Sequence, residues 1–321
     1  MNRRWTVGNE EAGVRLDKFL AAPERLGSRS RVVTALERGR IYVDEAETTL
    51  ADASLRLTAN LVITIWMDKP GTARKPRGAF RAGALRIVHE DDAFIVLDKP
   101  AGLLSVPLDQ RDAAPSAFEL VEDHLRSHGK KRPLIVHRID QDTSGLVVFA
   151  KDARAQEELK GQFRRREPER IYWAVVYGHP HPGAGVWRDR LAWDQRAQIQ
   201  KATHPGDPNG TDASSEYEVL ESFAESSLIE VRLHTGKRNQ IRIQAQLRGC
   251  PLVGERRYTF DPIERRQIVF ARHALHAYRL SFRHPFDGRA LRFEAPLPSD
   301  FVDLLKALRT SSRRVRARRE R

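Results

Sequence analysis

The 321-residue chain carries 56 lysine and arginine residues against 43 aspartate and glutamate residues, which gives a formal net charge of +13 and an isoelectric point near 10.2. This excess favours a polyanionic partner such as nucleic acid. Hydrophobic residues make up 40% of the chain, which is enough for about two folded domains and excludes a disordered protein.

A membrane location and a disulfide framework are not expected. No apolar stretch approaches the roughly 20 residues that a membrane-spanning helix needs, and the first 13 residues lack the apolar core of a signal peptide. The single cysteine, Cys250, excludes an intramolecular disulfide and a thiolate cluster for zinc. We therefore expect a cytoplasmic monomer with no membrane partner.

Residues 1–68 form the first predicted domain, a small basic unit. The apolar positions Leu16, Phe19 and Leu20 predict one short helix, and a capping serine before VVTALE predicts a second helix that stops near Gly39. Alternating apolar residues then predict edge strands. A solvated helix face is one interpretation of the second helix, and a phosphate-binding face is the other. The arginines concerned are Arg29, Arg31, Arg38 and Arg40.

Residues 69–84 are rich in glycine, proline and basic residues without apolar periodicity, which predicts a linker. The second domain is predicted over residues 85–308. It begins with two strands and continues into a helix that Ser116 caps, with Glu119 three residues later as in a capping box. We expect the arginine-rich stretch 309–321 to be disordered.

A polar loop lies between two apolar runs that predict buried strands, LIV before it and LVVFA after it. A second charged segment, residues 233–258, is predicted to turn at Gly236 and enter a short helix. Arg238 and Arg242 would then lie four residues apart on one face, beside an anion site at Lys237. The remaining segments are mostly strands in unequal mixture with helices, which predicts an α+β fold. The loop's polar side chains are His137, Arg138, Asp140, Asp142, Thr143 and Ser144.

Several chemistries could explain the polar loop. Serine hydrolysis is not expected, because a nucleophile elbow needs glycine where Asp142 stands. A metal site would combine His137 with Asp140 and Asp142, but Arg138 lies among them. A retaining glycosidase needs two carboxylates, yet the chain's charge suits phosphates better than neutral sugars. Structural ion pairing or capping is the remaining interpretation, which we prefer for Asp142.

Five ordered segments together resemble the RluA family of pseudouridine synthases over residues 87 to about 305. The N-terminal unit resembles an S4-type RNA-binding domain. These likenesses imply an α+β catalytic domain with a mixed, largely antiparallel sheet, and a small N-terminal S4-like α/β domain that binds RNA. The five segments are FIVLDKPAGLLSVP, HRIDQDTSGLVVFAK, RIYWAVVYG, LHTGKRNQIRIQAQLRGCPLVGERRY and HALHAYRLSFRHP with APLP.

The resemblance also implies roles for residues in these segments. Asp140 matches the catalytic aspartate, Tyr172 the active-site tyrosine, and Arg242 the arginine that pairs with the aspartate. Such an enzyme isomerises uridine without a cofactor or metal. The N-terminal arginines would bind RNA. Substrate contacts are implied for His137, Arg138, Thr143, Lys237, Arg238, Asn239 and Gln240.

Two details bear on the substrate. Residues 236–240 read Gly-Lys-Arg-Asn-Gln where the family usually has Gly-Arg-Thr/Ser-His-Gln, so the substrate contacts differ more than the chemistry does. An S4-like unit beside such a catalytic domain favours ribosomal RNA over transfer RNA. The alternative function is a non-catalytic RNA-binding or ribosome-assembly protein on the same scaffold.

Overall fold

The computed structural model divides the chain into two units, Met1–Ala79 and Phe80–Arg321. The predicted linker, residues 69–84, lies outside the described residues. Within the part that is described, no helix is long and apolar enough to cross a membrane. The described residues are 2–37, 40–44, 46–48, 50–66, 85–107, 115–127, 129, 132–195, 197, 199–258 and 268–319.

The first unit contains a four-stranded antiparallel sheet in the order β1-β4-β2-β3 and two short α-helices. Leu16 and Leu20 from the first helix and Val32 from the second pack against Ile63 and Ile65 of the sheet. This burial of aliphatic side chains forms a separate small core. The elements are β1 (Asn2–Thr6), α1 (Leu16–Leu20), α2 (Arg29–Glu37), β2 (Ile41–Val43), β3 (Ala46–Glu47) and β4 (Val62–Trp66), with 3-10 helices at Asn9–Glu11 and Leu50–Ser54.

Two of the four arginines predicted for the basic face of α2 are exposed on the helix. Arg29 and Arg31 are exposed on the helix, and Arg31 donates a hydrogen bond from Nη1 to the carbonyl of Leu26 at 3.2 Å. The described part of the helix is Arg29–Glu37, and Arg40 is half-buried. Arg38 lies outside the described residues.

The second unit is built on an eleven-stranded sheet whose main path is β11-β10-β12-β13-β9-β14-β8-β6-β5, with β15 on β14 and β7 on β8. The pair β14–β8 is parallel and the other described pairs are antiparallel, so the predicted mixed, largely antiparallel sheet is confirmed. Its strands are β5 (Arg86–Glu90), β6 (Phe94–Lys99), β7 (Leu134–Ile135), β8 (Ser144–Ala150), β9 (Glu169–Tyr177), β10 (Ala184–Asp194), β11 (Ile199–Ala202), β12 (Thr211–Ser222), β13 (Ser226–Leu233), β14 (Leu275–Arg283) and β15 (Ala290–Glu294).

Four helices accompany this sheet, and the starts of the first two are capped by local side chains. Ser116 Oγ accepts a hydrogen bond from the Glu119 amide at 3.2 Å, and Glu119 Oε2 accepts from the Ser116 amide at 2.8 Å, so the predicted capping box is confirmed. Asp152 caps the next helix by accepting from the Ala155 amide at 2.8 Å. The helices are α3 (Ala117–Ser127), α4 (Ala153–Arg165), α5 (Gln240–Leu247) and α6 (Ser299–Arg319).

Strand β6 shows how the sheet is covered on both faces. Ile95 and Leu97 belong to the core that includes helix α3, whereas Phe94 and Val96 belong to the core that includes α4. Alternate residues of a strand point to opposite faces, so a nearly continuous apolar run is what two covered faces require. The loop between β7 and β8 leads into β8, whose alternate residues belong to the same two cores.

The C-terminal stretch differs from its prediction. Helix α6 continues through Arg319, where disorder was predicted from residue 309 onwards. Phe301 and Leu304 from its first turns pack in the core. Arg309 forms an ion pair with Glu221 at 2.7 Å. An anchored helix can extend outward through arginine and alanine, which have high helix propensity.

Candidate active site

The loop that joins β7 to β8 carries Asp140 on a fixed backbone. Ile139 is buried, and its carbonyl accepts a hydrogen bond from Ser105 Oγ at 2.7 Å while its amide donates to the same oxygen at 3.1 Å. The Thr143 amide closes the turn on the Asp140 carbonyl at 3.1 Å. These bonds hold the loop from both sides, so Asp140 projects from a defined position.

A buried lysine supports the loop from behind. Lys99 donates from Nζ to the carbonyls of Leu103 at 2.8 Å and Gln141 at 3.0 Å. Burial lowers the pKa of Lys99 to about 7, although the negative charges of Asp142 and Asp140 oppose the shift. The sequence analysis did not assign a role to this lysine.

Two buried histidines hold the end of the loop. His273 Nε2 lies 2.8 Å from Thr143 Oγ1, and His276 Nδ1 lies 2.9 Å from Ser144 Oγ. His276 Nε2 also lies 3.2 Å from the Ala295 carbonyl, so it donates there and Nδ1 accepts from the serine. Burial lowers the pKa of both histidines to about 4. Thr143 is therefore part of the wall of the site, and its hydroxyl has a partner within the protein.

The carboxylate of Asp140 receives two hydrogen bonds on one oxygen. Asn239 Nδ2 donates to Oδ2 at 2.6 Å, and Arg242 Nη1 donates to the same atom at 3.2 Å. The Asp140 side chain is 27% exposed. Within the described residues no hydrogen-bond donor reaches Oδ1.

Arg242 is itself held by Glu255. Its Nε and Nη2 atoms donate to the two carboxylate oxygens of Glu255, each at 2.7 Å, and the glutamate side chain is 1% exposed. Burial lowers the pKa of Arg242, but the hydrogen bonds and charge of Glu255, together with Asp140, outweigh it and raise the pKa overall. The same contacts overcome the burial of Glu255 and lower its pKa to about 2. The pair therefore remains charged.

Asn239 lies at the start of α5 in a left-handed conformation, with φ 54° and ψ 25°. Asparagine tolerates this region better than most residues. Its amide orientation is fixed because Tyr258, which is buried, donates from its hydroxyl to Asn239 Oδ1 at 3.2 Å. The amide nitrogen must then point towards Asp140. Asn239, predicted to contact substrate, lines the cavity and also donates to the aspartate.

Tyr172 on β9 lies in the core beside Ile139 and is 8% exposed. Burial raises the pKa of its hydroxyl to about 12, with Arg170 opposing the shift and Asp140 adding to it. The hydroxyl therefore stays protonated at neutral pH. Tyr172, Asp140 and Arg242 line one cavity of about 550 Å³, so the three residues predicted to be catalytic lie together.

Other residues predicted to contact substrate also line this cavity, but not all of their side chains are free to bind one. His137 Nε2 accepts a hydrogen bond from the Val148 amide at 3.2 Å, and its ring stacks on Phe163 with 4.7 Å between centroids. Burial, with a smaller effect of Arg170, lowers the pKa of His137 to about 3, so it is neutral. By contrast Arg138 is exposed.

The substrate contacts predicted for residues 237–240 also differ in whether their side chains are free to meet a substrate. Lys237 is half-buried and lines the cavity. Gln240 is buried, and its side chain bonds to Thr235 Oγ1 at 2.7 Å and to the Ser214 carbonyl at 3.1 Å, so it is committed to the fold. Arg238 does not line the cavity. It precedes α5, contrary to prediction, and its guanidinium lies 4.1 Å from the centroid of the Trp193 ring.

Some residues of the site were missed by the sequence analysis. Glu255 and Tyr258 lie in the segment that carries the family resemblance, but a charged or aromatic residue there gives no signal of its partner. No group of three His, Cys, Asp or Glu side chains among the described residues could hold a metal ion. The missed cations that line the cavity are Lys160, Arg164, Arg166 and Arg170.

Comparison with known proteins gives consistent matches. A family model described as RNA pseudouridylate synthase matches residues 93–247. An RNA pseudouridine synthase of Bacillus subtilis, YlyB, is 33% identical over 310 residues, which cover 95% of this chain and 97% of that protein. Ribosomal large subunit pseudouridine synthase D of Nitrosomonas europaea is 34% identical over 317 residues, with 95% and 87% covered.

A solved structure supports the fold. Human RNA pseudouridylate synthase domain containing 4 superposes with a TM-score of 0.59 at 24% identity, covering 71% of this chain and 95% of that one. The full-length relatives define the class of protein, which is an RNA pseudouridine synthase, an isomerase. Within that class the chain belongs to the RluA family. The predicted family, the enzyme class and the α+β fold of the catalytic domain are thereby confirmed.

Proposed function

We propose that the protein converts specific uridines of ribosomal RNA to pseudouridine, with Asp140 as its catalytic carboxylate. The observation that carries this proposal is the environment of that carboxylate. Arg242 and Asn239 both donate to Oδ2, which leaves Oδ1 without a donor among the described residues, and Asp140 lines a cavity together with several cations. A positively charged cavity suits a nucleotide, and an ionised carboxylate with one free oxygen suits the reaction.

The reaction rearranges bonds within one nucleotide. The bond from N1 of the base to C1′ of the ribose breaks, the base turns, and C5 bonds to C1′ while the C5 proton is lost and N1 regains a proton. One proton leaves C5 and one is gained at N1, so the net composition and oxidation state of the RNA do not change. The carboxylate can attack C1′, attack C6 or remove the 2′ proton, and each route begins with an ionised Asp140.

Tyr172 provides a neutral ring beside this carboxylate. A pKa near 12 disfavours the phenolate, so the ring acts by stacking on the base and the hydroxyl acts as a hydrogen-bond donor. The uridine must leave its helix or loop to reach the cavity. Arg138, exposed at the edge of the cavity, is then available to the RNA beside the turned-out nucleotide.

The ribosomal substrate is inferred from relatives and charge. Several relatives that align over about 95% of the chain are named ribosomal large subunit pseudouridine synthase D. The N-terminal unit, proposed to be S4-like, presents Arg29 and Arg31, which would bind RNA phosphates. We further propose a cytoplasmic monomer, which is consistent with a single buried thiol, Cys250.

The test is conversion of uridine in defined RNAs. Purified protein is incubated with transcripts of large-subunit ribosomal RNA and with transfer RNA. The isomerisation itself leaves the RNA mass unchanged, and the pseudouridine formed is then detected by labelling with a carbodiimide. The proposal expects conversion in the ribosomal transcript at discrete positions and little in transfer RNA. Free uracil would indicate a glycosidase, and binding without conversion would indicate a non-catalytic RNA-binding protein. Mapping pseudouridines in RNA from a deletion strain would then identify the sites.

A further inference from the structure

Arg170 lies in the cavity wall without an acidic partner. Its Nη2 atom reaches the carbonyls of Leu233 and His234 only at 3.4 Å each, and its buried Nε atom has no hydrogen-bond partner. No ion pair joins it to any aspartate or glutamate among the described residues. A partly buried, incompletely bonded cation is costly for a protein to keep.

Nearby arginines outside the cavity show the contrast. Arg165 is exposed and pairs with Glu167 at 2.6 Å, and Arg279 pairs with Glu294 at 2.8 Å. Arg170 is more buried than Arg165, yet it lacks such a carboxylate. Burial lowers its pKa, and the ring of Phe163, 5.7 Å from the guanidinium carbon, provides only a weak additional contact. An external anion would supply the missing partner.

The position of Arg170 identifies which anion is available. It precedes Tyr172 by two residues on β9, so the two side chains leave the same face of the strand, about 6 to 7 Å apart along it. Both line the cavity that contains Asp140. A nucleotide whose base contacts Tyr172 places its sugar–phosphate backbone within reach of a group at that separation.

The surroundings of Arg170 also favour a phosphate. Lys160, Arg164 and Arg166 line the same cavity, so the local charge is strongly positive. The turn opposite leaves room for the guanidinium, because a Cβ atom at Gly236 would lie 2.5 Å from Arg170 Nη1. A planar guanidinium with unused donors matches the geometry of phosphate oxygens.

We propose that Arg170 binds a phosphate group of the RNA backbone next to the uridine that lies against Asp140. This inference rests on the proposed function, because it takes RNA as the occupant of the cavity. Arg170 then acts as a substrate-binding residue that fixes the backbone while the base is turned. Arg170 would thus contact the RNA in addition to the catalytic aspartate, tyrosine and arginine.

The experiment compares Arg170→Gln and Arg170→Lys with Arg165→Gln, a control that removes one positive charge from the neighbouring surface without touching the cavity. Binding of a labelled large-subunit ribosomal RNA fragment to the full-length protein is measured between about 50 and 200 mM salt. Arg170→Gln is expected to weaken binding about tenfold or more and to reduce the salt slope by about 0.7. Arg170→Lys should keep the slope, and Arg165→Gln should keep both.

Thermal unfolding of the free variants separates binding from folding. Since Nε is unsatisfied, Arg170→Gln should unfold at the wild-type temperature or above it. A Gln variant with the wild-type salt slope, one that loses no more than Arg165→Gln, or one that no longer folds would overturn the proposal. Equal loss of slope in Arg170→Lys would do the same. Binding needs no turnover, so a wild-type protein that makes no pseudouridine contradicts only the proposed function.

Discussion

Arg242 and Glu255 form a bidentate ion pair, with Nε to Oε2 and Nη2 to Oε1 both at 2.7 Å. This pair fixes the guanidinium plane and leaves Nη1 for Asp140 at 3.2 Å. The glutamate side chain is 1% exposed and the aspartate 27%. The main structural partner of Arg242 is therefore Glu255, and Asp140 is the partner that faces the chemistry.

Replacing Arg242 with alanine should damage stability and turnover for different reasons. The loss of stability, on the order of 3 to 5 kcal/mol, comes mainly from leaving the Glu255 carboxylate buried and unpaired. The loss of turnover comes from Asp140. The double variant Arg242→Ala/Glu255→Gln should recover much of the stability in urea unfolding and none of the turnover. A double variant as unstable as the single one would show that Glu255 is not the source of the cost.

Asp140→Asn should abolish pseudouridine formation while RNA affinity stays within a few-fold, because the amide keeps the shape but cannot act as nucleophile or base. Asp142→Asn is the matched control, since Asp142 lies two residues away and does not line the cavity. It should retain most of the activity. Single-turnover assays with a ribosomal transcript measure the activity of both variants. An active Asp140 variant beside an inactive Asp142 variant would reverse the assignment.

Local features of the fold could be predicted because they depend on neighbouring residues. The apolar run of β8 and the Ser116–Glu119 capping box are each encoded within a few positions. The start of α5 was misplaced by about two residues because the left-handed Asn239 precedes the helix, and no local pattern required it there. Arg238 was therefore assigned to a helix face that it does not occupy.

Contacts across the sheet could not be predicted from local pattern. Asn239 donates to Asp140 across 99 residues of sequence, and this contact depends on how β13 and α5 pack beside the β7–β8 loop. The family resemblance supplied the pairing of Asp140 with Arg242, but it did not supply Glu255 or the unpaired Arg170. Partner identity at such distances is a property of the tertiary structure.

The buried histidines predict a loss of stability in acid. Burial lowers the pKa of His276 from 6.5 to about 4, although the hydrogen bond to the Ala295 carbonyl opposes this. Between these values the unfolded chain binds a proton that the folded protein does not. The stability from His276 is therefore complete above pH 6.5 and declines as the pH falls towards 4, by about 3 kcal/mol.

His276→Gln keeps a donor and an acceptor but cannot titrate. Urea unfolding at several pH values between about 8 and 4 should show a smaller acid loss in this variant than in the wild type. The variant should be less stable than the wild type at pH 8, where the native hydrogen bonds to Ser144 and Ala295 are intact. Parallel curves for both proteins across this range would show that His276 does not titrate as inferred.

The end of α6 provides a test of RNA binding outside the cavity. Arg309 is committed to Glu221 at 2.7 Å, and Ser312 Oγ accepts from the Ala224 amide at 2.9 Å, so a truncation should begin after residue 312. Removing residues 313–321 deletes six arginines without breaking these contacts. If they bind phosphates, the apparent KM should rise and the salt slope should fall by about 0.7 for each lost single-strand contact. The rate at saturating RNA should hold, because no catalytic residue is removed.

Removing only residues 320–321, one glutamate and one arginine, is the charge-neutral control. An unchanged salt slope in the longer truncation would leave this part of α6 as a solvated helix.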